Sequence, residues 1–409
     1  MADFSAYFTM KESDALEYAR TKLDVFPAGA RLSCREIGDG NLNYVFRIAD
    51  EDSGKSIIIK QAGPVARLSD EFVVSPDRNR IEADILALQN ELAPGLVPKI
   101  YGYDPVMNCT IMEDLSDHKL MRRALLEREK FPLFADHITT FMANTLLLTS
   151  DVVMNHKEKK RLVGQFINPD LCEITEDLVY TEPFYDCPRN DVFEPTRDFA
   201  RRFLWEDEAL QLETAKLKFD FMTNAQCLIH GDLHTGSIFV KPDSTKVFDP
   251  EFAFYGPAGY DVGNVIANLI FAYANARVTM EEGPDKEDFT GWLLDTIGQV
   301  ADLFREKFLA LFAERATERT ARYPGFDRYY LGRIMEDTSA VAGLELCRRT
   351  LGIAGVKDLT TIADPQKRLA AEKLCLIAGK TFIMRRGEIA TGERFKQVVK
   401  ESEILANAQ

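Results

Sequence analysis

Two short apolar runs, Cys227-Leu228-Ile229 and Lys246-Val247-Phe248, each break directly into an acidic loop, and this pairing restricts the fold more than any other feature of the chain. The first loop reads His230-Gly231-Asp232-Leu233-His234-Thr235-Gly236-Ser237; the second, Asp249-Pro250-Glu251, comes 17 residues after Asp232. Short apolar runs that end in turn residues predict strands, so two neighbouring strands are expected to carry both acidic groups to one edge. That layout suits phosphoryl transfer. The reaction needs one carboxylate to orient and deprotonate the accepting hydroxyl and others to hold magnesium on the nucleotide phosphates, with little covalent chemistry besides.

At 409 residues the chain is too long for one ordinary core, and two lobes are expected. Fifty Lys and Arg against 65 Asp and Glu give a formal charge of -15, which opposes binding to nucleic acid or to an anionic membrane and points to a small substrate. If that substrate is ATP, local cations must offset the overall field. Seven scattered cysteines show neither CxxC nor zinc spacing and read as reduced thiols. The N-terminal residues lack a signal-peptide core, and the longest apolar run, Val262 to Ala276, is too short to span a bilayer. A soluble cytoplasmic protein is expected.

Ser13 is placed to cap a helix carrying Ala15, Leu16, Ala19, Leu23 and Phe26 at three- and four-residue steps. Three antiparallel strands follow at Leu32 to Ile37, Tyr44 to Ala49 and Ser56 to Gln61, then a helix at Arg78 to Leu92 and strands near Val97 to Tyr103 and Cys109 to Met112. This predicts an N-terminal lobe over residues 1–112 with a five-stranded antiparallel sheet, a hinge at 113–116, and a mainly helical C-terminal lobe over 117–409. Within the latter, helices are expected at 131–149, 206–223, 260–276, 291–319, 330–351 and 365–386. The charge run 155–161 reads as a solvated face or turn, and 179–198 as a long loop able to wall a pocket.

The order of parts is a glycine turn between strands, a lysine on the third strand, a helix with a glutamate, a hinge, an acidic loop and a metal loop. It resembles the protein-kinase-like α+β fold with two lobes. The loop from His230 to His234 resembles that of the aminoglycoside and choline phosphotransferases. Three features together are similar to the 5-methylthioribose kinases: Gly38-Asp39-Gly40-Asn41-Leu42-Asn43-Tyr44-Val45-Phe46, the run Asp249 to Pro257, and the twin Arg348-Arg349. The resemblance implies ATP-dependent, magnesium-dependent phosphorylation of the anomeric hydroxyl of 5-methylthioribose in methionine salvage. It also implies a homodimer.

On this reading Asp232 is the catalytic residue that accepts the proton of the attacking hydroxyl, in place of a solvated turn aspartate. Asp249 and Glu251, two apart, face one way if the segment is extended, as two ligands of one hard cation require. Gly38, Gly40 and Asn43 belong to a turn whose backbone could approach nucleotide phosphates. Lys60, following Ile57-Ile58-Ile59, needs an anionic partner where it is buried; Glu82 is the best-placed carboxylate, with Glu71 and Glu91 flanking it. Glu113 and Leu115 would meet adenine through backbone groups. On the same reading His234 borders the substrate, His230 reads as a loop-holder, Asp261 as a structural residue that caps the following helix or braces the catalytic loop, and Ser237 has no role assigned. Adjacent helix residues point about 100° apart, so either one of Arg348 and Arg349 faces solvent or the helix end aims both at a ligand. Two rivals remain: a kinase for an aminoglycoside, choline or another alcohol, and a catalytically silent kinase-like binding protein.

Overall fold

A computed structural model describes residues 3–37, 43–63 and 77–408. The chain forms two compact units, Met1–His118 with Lys246–Ala253, and Lys119–Thr245 with Phe254–Gln409. The sequence reading put residues 246–253 in the second lobe; the fold counts them with the first.

In the first unit α1 (Glu12–Lys22) leads into β1 (Leu32–Glu36), β2 (Asn43–Asp50), β3 (Ser56–Ala62), α2 (Asp77–Leu92), β4 (Ile100–Asp104) and β5 (Cys109–Glu113). The sheet order is β1-β2-β3-β5-β4 with every pair antiparallel, so the expected five-stranded sheet forms. Ile57 and Ile59 of β3, Phe46 and Ile48 of β2 and Ile111 of β5 share a buried cluster with Ala15, Tyr18 and Ala19 of α1. Residues two apart share a strand face, so Lys60 stands on the side of the central strand opposite that cluster. Its register partners are Val45 and Thr110. The helix α1 begins before Ser13: Lys11 is the N-cap, and its N–H donates to Asp14 at 3.0 Å.

The second unit comprises β6 (Lys119–Leu120), α3 (Met121–Leu126), α4 (Phe134–Leu148), α5 (His156–Gln165), α6 (Pro169–Leu178), α7 (Glu194–Ala200), α8 (Glu208–Thr223), β7 (Cys227–Ile229), β8 (Ile238–Lys241), the start of β9 (Ser244–Val247, whose last two residues count with the first unit), β10 (Phe254–Gly256), α9 (Gly259–Thr279), α10 (Pro284–Arg315), α11 (Phe326–Leu351), α12 (Lys357–Thr360), α13 (Pro365–Met384) and α14 (Gly392–Ala408). The six long helices expected are present. The charge run at 155–161 opens α5, where Asn155 accepts from the N–H groups of Lys157 and Glu158. The stretch 179–198 holds a single 3-10 turn at Glu182–Phe184 before α7 starts.

The expected strand pairing fails. β7 does not pair with the strand that leads to Asp249. It pairs antiparallel with β10, Ile229 opposite Phe254, while β9 lies in a separate sheet ordered β6-β8-β9. Only Pro242-Asp243 separate β8 from β9, so loop closure favours pairing of those near neighbours.

The apolar run at 262–276 is the interior of α9, whose residues from Gly259 to Ala276 are all buried, as expected of a helix apolar on every side. α11 packs against α9 and α13. Its approach to α9 needs glycine: a Cβ on Gly263 would stand 2.7 Å from the carbonyl oxygen of Thr338. The close packing fixes the far end of α11, which carries Arg348 and Arg349.

Candidate active site

In the first unit the third strand and α2 bring a cation and a carboxylate together. The Lys60 ammonium donates to Glu82 Oε1 at 2.9 Å and also binds Asp249 Oδ1. Glu91 is exposed, and Glu71 lies outside the described residues. Burial alone would push the lysine pKa down, but Asp249, Glu82 and Glu251 outweigh it and hold Lys60 above the ordinary lysine range, so it is fully charged. The strand itself is pinned by Asn79, whose side-chain amide donates to the Lys60 carbonyl at 3.2 Å and to that of Asn108 at 2.6 Å.

The segment at Asp249 is not the extended run that the spacing predicted. Asp249 has φ 67°, in the left-handed region, and a turn follows in which the Ala253 N–H donates to the Pro250 carbonyl at 3.1 Å. A non-glycine residue held there is a local strain of the kind found at functional sites. Both carboxylates nevertheless act on Lys60. They also suit a hard cation, because magnesium takes only one or two carboxylates and completes its shell with water and phosphate oxygens. Among the described residues no three His, Cys, Asp or Glu groups form a cage for an ion.

Of the other residues expected around a nucleotide, Gly38 and Gly40 lie outside the described residues. Asn43 is buried at the start of β2. Glu113 closes β5; its N–H donates to the Lys99 carbonyl at 2.8 Å and its carboxylate takes Lys246 at 3.3 Å. Leu115 is buried, and its carbonyl accepts from the His118 N–H at 2.9 Å. Asp114 beside it accepts from Arg47 at 2.6 Å and from Ser56 at 2.5 Å, which ties this segment to the sheet.

In the second unit the loop after β7 is braced from beneath. Asp261, in the first turn of α9, accepts from the N–H of His230 at 2.7 Å and of Gly231 at 3.0 Å, so it holds the loop and does not cap its own helix, whose N-cap is Ala258. His230 is buried, and its Nδ1 accepts from the Asp232 N–H at 3.3 Å. Ser237 donates to the Asp232 carbonyl at 2.6 Å. The Asp232 backbone is thereby fixed on both sides.

Its carboxylate is shared among three side chains. His234 Nε2 lies 3.2 Å from Oδ2, while Arg348 Nη2 and Arg349 Nη2 donate to Oδ1 at 3.4 and 3.2 Å. The Gly236 N–H donates to His234 Nδ1 at 3.0 Å, so Nδ1 is the acceptor and the proton of the neutral ring sits on Nε2, facing Asp232. Burial would raise the Asp232 pKa, but His234, Arg349 and Arg348 outweigh it and hold the carboxyl well below its usual range. For His234, burial is the larger effect and lowers its pKa in spite of Asp232, so the ring is neutral near pH 7.

The twin arginines therefore resolve in favour of a shared target. Each side chain is only 10% exposed, and the long stems overcome the 100° between neighbours. Sequence reasoning missed what gathers them. Glu345, fully buried, takes the Nε of Arg348 on one oxygen and the Nε of Arg349, at 3.1 Å, on the other. Three- and four-residue spacing from Glu345 to the arginines, amid apolar neighbours, was the available signal. Asn268 and Arg122 were also missed: Asn268 donates to Glu345 at 3.2 Å and accepts from Arg122 at 3.0 Å.

A model described as the phosphotransferase enzyme family matches residues 169–292, the stretch that holds Asp232, Asp249 and Glu251. A methylthioribose kinase from Bacillus pumilus (strain SAFR-032) is 42% identical over 402 residues, which cover 97% of this chain and 99% of that protein. The chain belongs to the methylthioribose kinase family. The methylthioribose kinase of Geobacillus thermodenitrificans (strain NG80-2) is likewise 42% identical, over 98% of both chains. A solved choline kinase from Cryptosporidium parvum Iowa II overlays with TM-score 0.44 at 12% identity, covering 97% of this chain and 95% of that one, a likeness too distant to carry argument. As a methylthioribose kinase family member the protein is a phosphotransferase with the protein-kinase-like α+β fold that the order of its motifs predicted.

Proposed function

We propose that the protein transfers the terminal phosphoryl group of ATP to the anomeric hydroxyl of 5-methylthioribose, giving 5-methylthioribose 1-phosphate and ADP within methionine salvage. The observation that carries this reading is the convergence of Arg348 and Arg349 on one oxygen of Asp232. A base flanked by two guanidinium groups favours a neutral polyol over a cationic aminoglycoside or choline, and guanidinium groups can hydrogen-bond ribose hydroxyls. The naming of relatives at 42% identity as methylthioribose kinases agrees with it.

In this mechanism Asp232 stays ionised, accepts a hydrogen bond from the attacking hydroxyl and takes its proton late in a loose transition state. His234 holds the second carboxylate oxygen through Nε2. The arginines release Asp232 to bind the sugar and offset charge building on the transferred group. Lys60, oriented by Glu82, would bind nucleotide phosphates, with Gly38, Gly40, Asn43 and the backbone of Glu113 and Leu115 around the nucleotide. Asp249 and Glu251 would hold magnesium, which when bound neutralises phosphate charge. A homodimer belongs to the same reading and rests on the family resemblance, and a cytoplasmic location is carried from the scattered cysteines and the composition of the sequence. Among the described residues no helix is long and apolar enough to cross a membrane.

Incubating the protein with magnesium ATP and 5-methylthioribose, ribose, choline or kanamycin, and following ADP release, tests the substrate. Fastest release is expected with 5-methylthioribose; turnover of choline or kanamycin with none on either sugar would replace the reading by the first rival. Arg349→Ala is expected to raise the sugar KM and lower turnover, together by about 10- to 100-fold, the worth of a hydrogen bond to a charged group. Because Arg349 helps to hold the Asp232 pKa down, its removal lets that pKa rise. The acid limb of the turnover profile should then move to higher pH; an unmoved limb would separate Arg349 from Asp232.

A further inference from the structure

Resting on the acceptor-site reading above, we propose that Glu345 is a positioning residue: it keeps Arg348 and Arg349 side by side while their contacts to Asp232 are exchanged for contacts to the sugar. The two guanidinium groups are held in the same way. Each gives its Nε to a different oxygen of Glu345 and an Nη2 to the same Oδ1 of Asp232.

The two carboxylates are not equivalent. Glu345 has no exposed side-chain surface, whereas the Asp232 side chain is 27% exposed. Arg348 and Arg349 reach Asp232 at 3.4 and 3.2 Å, and Arg349 reaches Glu345 at 3.1 Å, with Arg348 on the other oxygen of Glu345. Water and substrate can therefore reach Asp232 but not Glu345. One carboxylate is exchangeable and the other is a permanent anchor.

Charge requires the anchor. Two neighbouring guanidinium groups repel each other in a weakly screened site, and with Asp232 as their only counter-ion both would be locked onto the base. Glu345 supplies the second negative charge, so the Nη2 groups can leave Asp232 without leaving each other. Burial pushes the Glu345 pKa up, but Arg348 and Arg349 outweigh it, and the group stays ionised. Asn268 Nδ2 fixes its Oε1 at 3.2 Å, and the Asn268 carbonyl is bound in turn by Arg122 and Thr235. The anchor is thus tied to α3 and to the loop of Asp232 as well as to α11.

Glu345→Gln is the informative change. A glutamine oxygen can accept from one arginine, but its NH2 then faces the Nε–H of the other, donor against donor. The sugar KM is expected to rise roughly tenfold or more, with a smaller fall in kcat and no change in the ATP KM. Both sugar constants within twofold of wild type would overturn the proposal. A second measurement needs no substrate: hydrogen exchange of the Arg348 and Arg349 Nε–H groups by 15N NMR, assigned with Arg348→Lys and Arg349→Lys. In wild type both should exchange at least about tenfold more slowly than the exposed Arg328, and the protection should fall in Glu345→Gln. Equal rates in the two proteins would also overturn it. If wild type does not phosphorylate 5-methylthioribose, the acceptor reading fails while the exchange result still decides whether Glu345 anchors the pair. If the variant does not fold, wild-type exchange as fast as that of Arg328 overturns the proposal by itself.

Discussion

Asp232→Asn is expected to lower turnover by roughly 10²- to 10⁴-fold, the contribution of a positioned general base. The carboxylate is the meeting point of His234, Arg348 and Arg349, and an amide cannot serve all three: its oxygen accepts from one side while its NH2 confronts a donor on the other. The loss should appear in kcat at saturating magnesium ATP and sugar, because proton acceptance belongs to the transition state. The backbone of the loop is held by Asp261, His230 and Ser237 through main-chain atoms, so the variant should fold and keep a melting temperature close to that of wild type. Turnover within threefold of wild type in such a folded variant would remove Asp232 from the mechanism.

The parts of this molecule that could be read from sequence are those whose signals are local. Each strand of the five-stranded sheet is a short segment carrying apolar residues, and each long helix repeats its apolar residues over many turns. Lys60 was legible for a chemical reason, since a lysine after three isoleucines must find a carboxylate, and Glu82 meets it at 2.9 Å. The acidic tandem was legible as residues but not as architecture. β7 and β10 are three residues each and give too little pattern to reveal their pairing, and nothing in the spacing of Asp249 and Glu251 indicates a left-handed backbone.

The setting of Asp232 was least legible, because its parts come from distant elements. Arg122 sits on α3, Asn268 on α9 and Glu345 on α11, and each alone reads as an ordinary helix residue. Two adjacent arginines remain ambiguous until a common acceptor is known, since helical geometry turns them apart. The buried carboxylate three and four residues before them removes that ambiguity. What sequence supplies here is the identity of the charges; which charges share a neighbour is set by the packing of α11 against α9 and α13.

Asp249→Asn should cut turnover by roughly 10²- to 10³-fold, the scale for removing one preorganised group that stabilises transition-state charge. The variant loses a carboxylate that both binds Lys60 and, on the reading above, holds magnesium. Lys60 keeps Glu82, so the strand and its charge survive. The loss should therefore concern the metal more than the nucleotide. Titrating a fluorescent ATP analogue with and without magnesium separates the two: metal-free binding should stay near wild type, while the gain on adding magnesium should shrink. Glu251→Gln, which leaves Asp249 in place, is expected to do less and to recover part of its activity at high magnesium. Asp232→Asn provides the control, because its partners His234, Arg348 and Arg349 include none of Lys60, Glu82, Asp249 or Glu251. It should keep the full magnesium-linked gain in nucleotide binding while losing turnover. If Asp249→Asn retains that gain unchanged, the metal role passes to Glu251 or to residues outside this pair, and Asp249 is left as the partner of Lys60 alone.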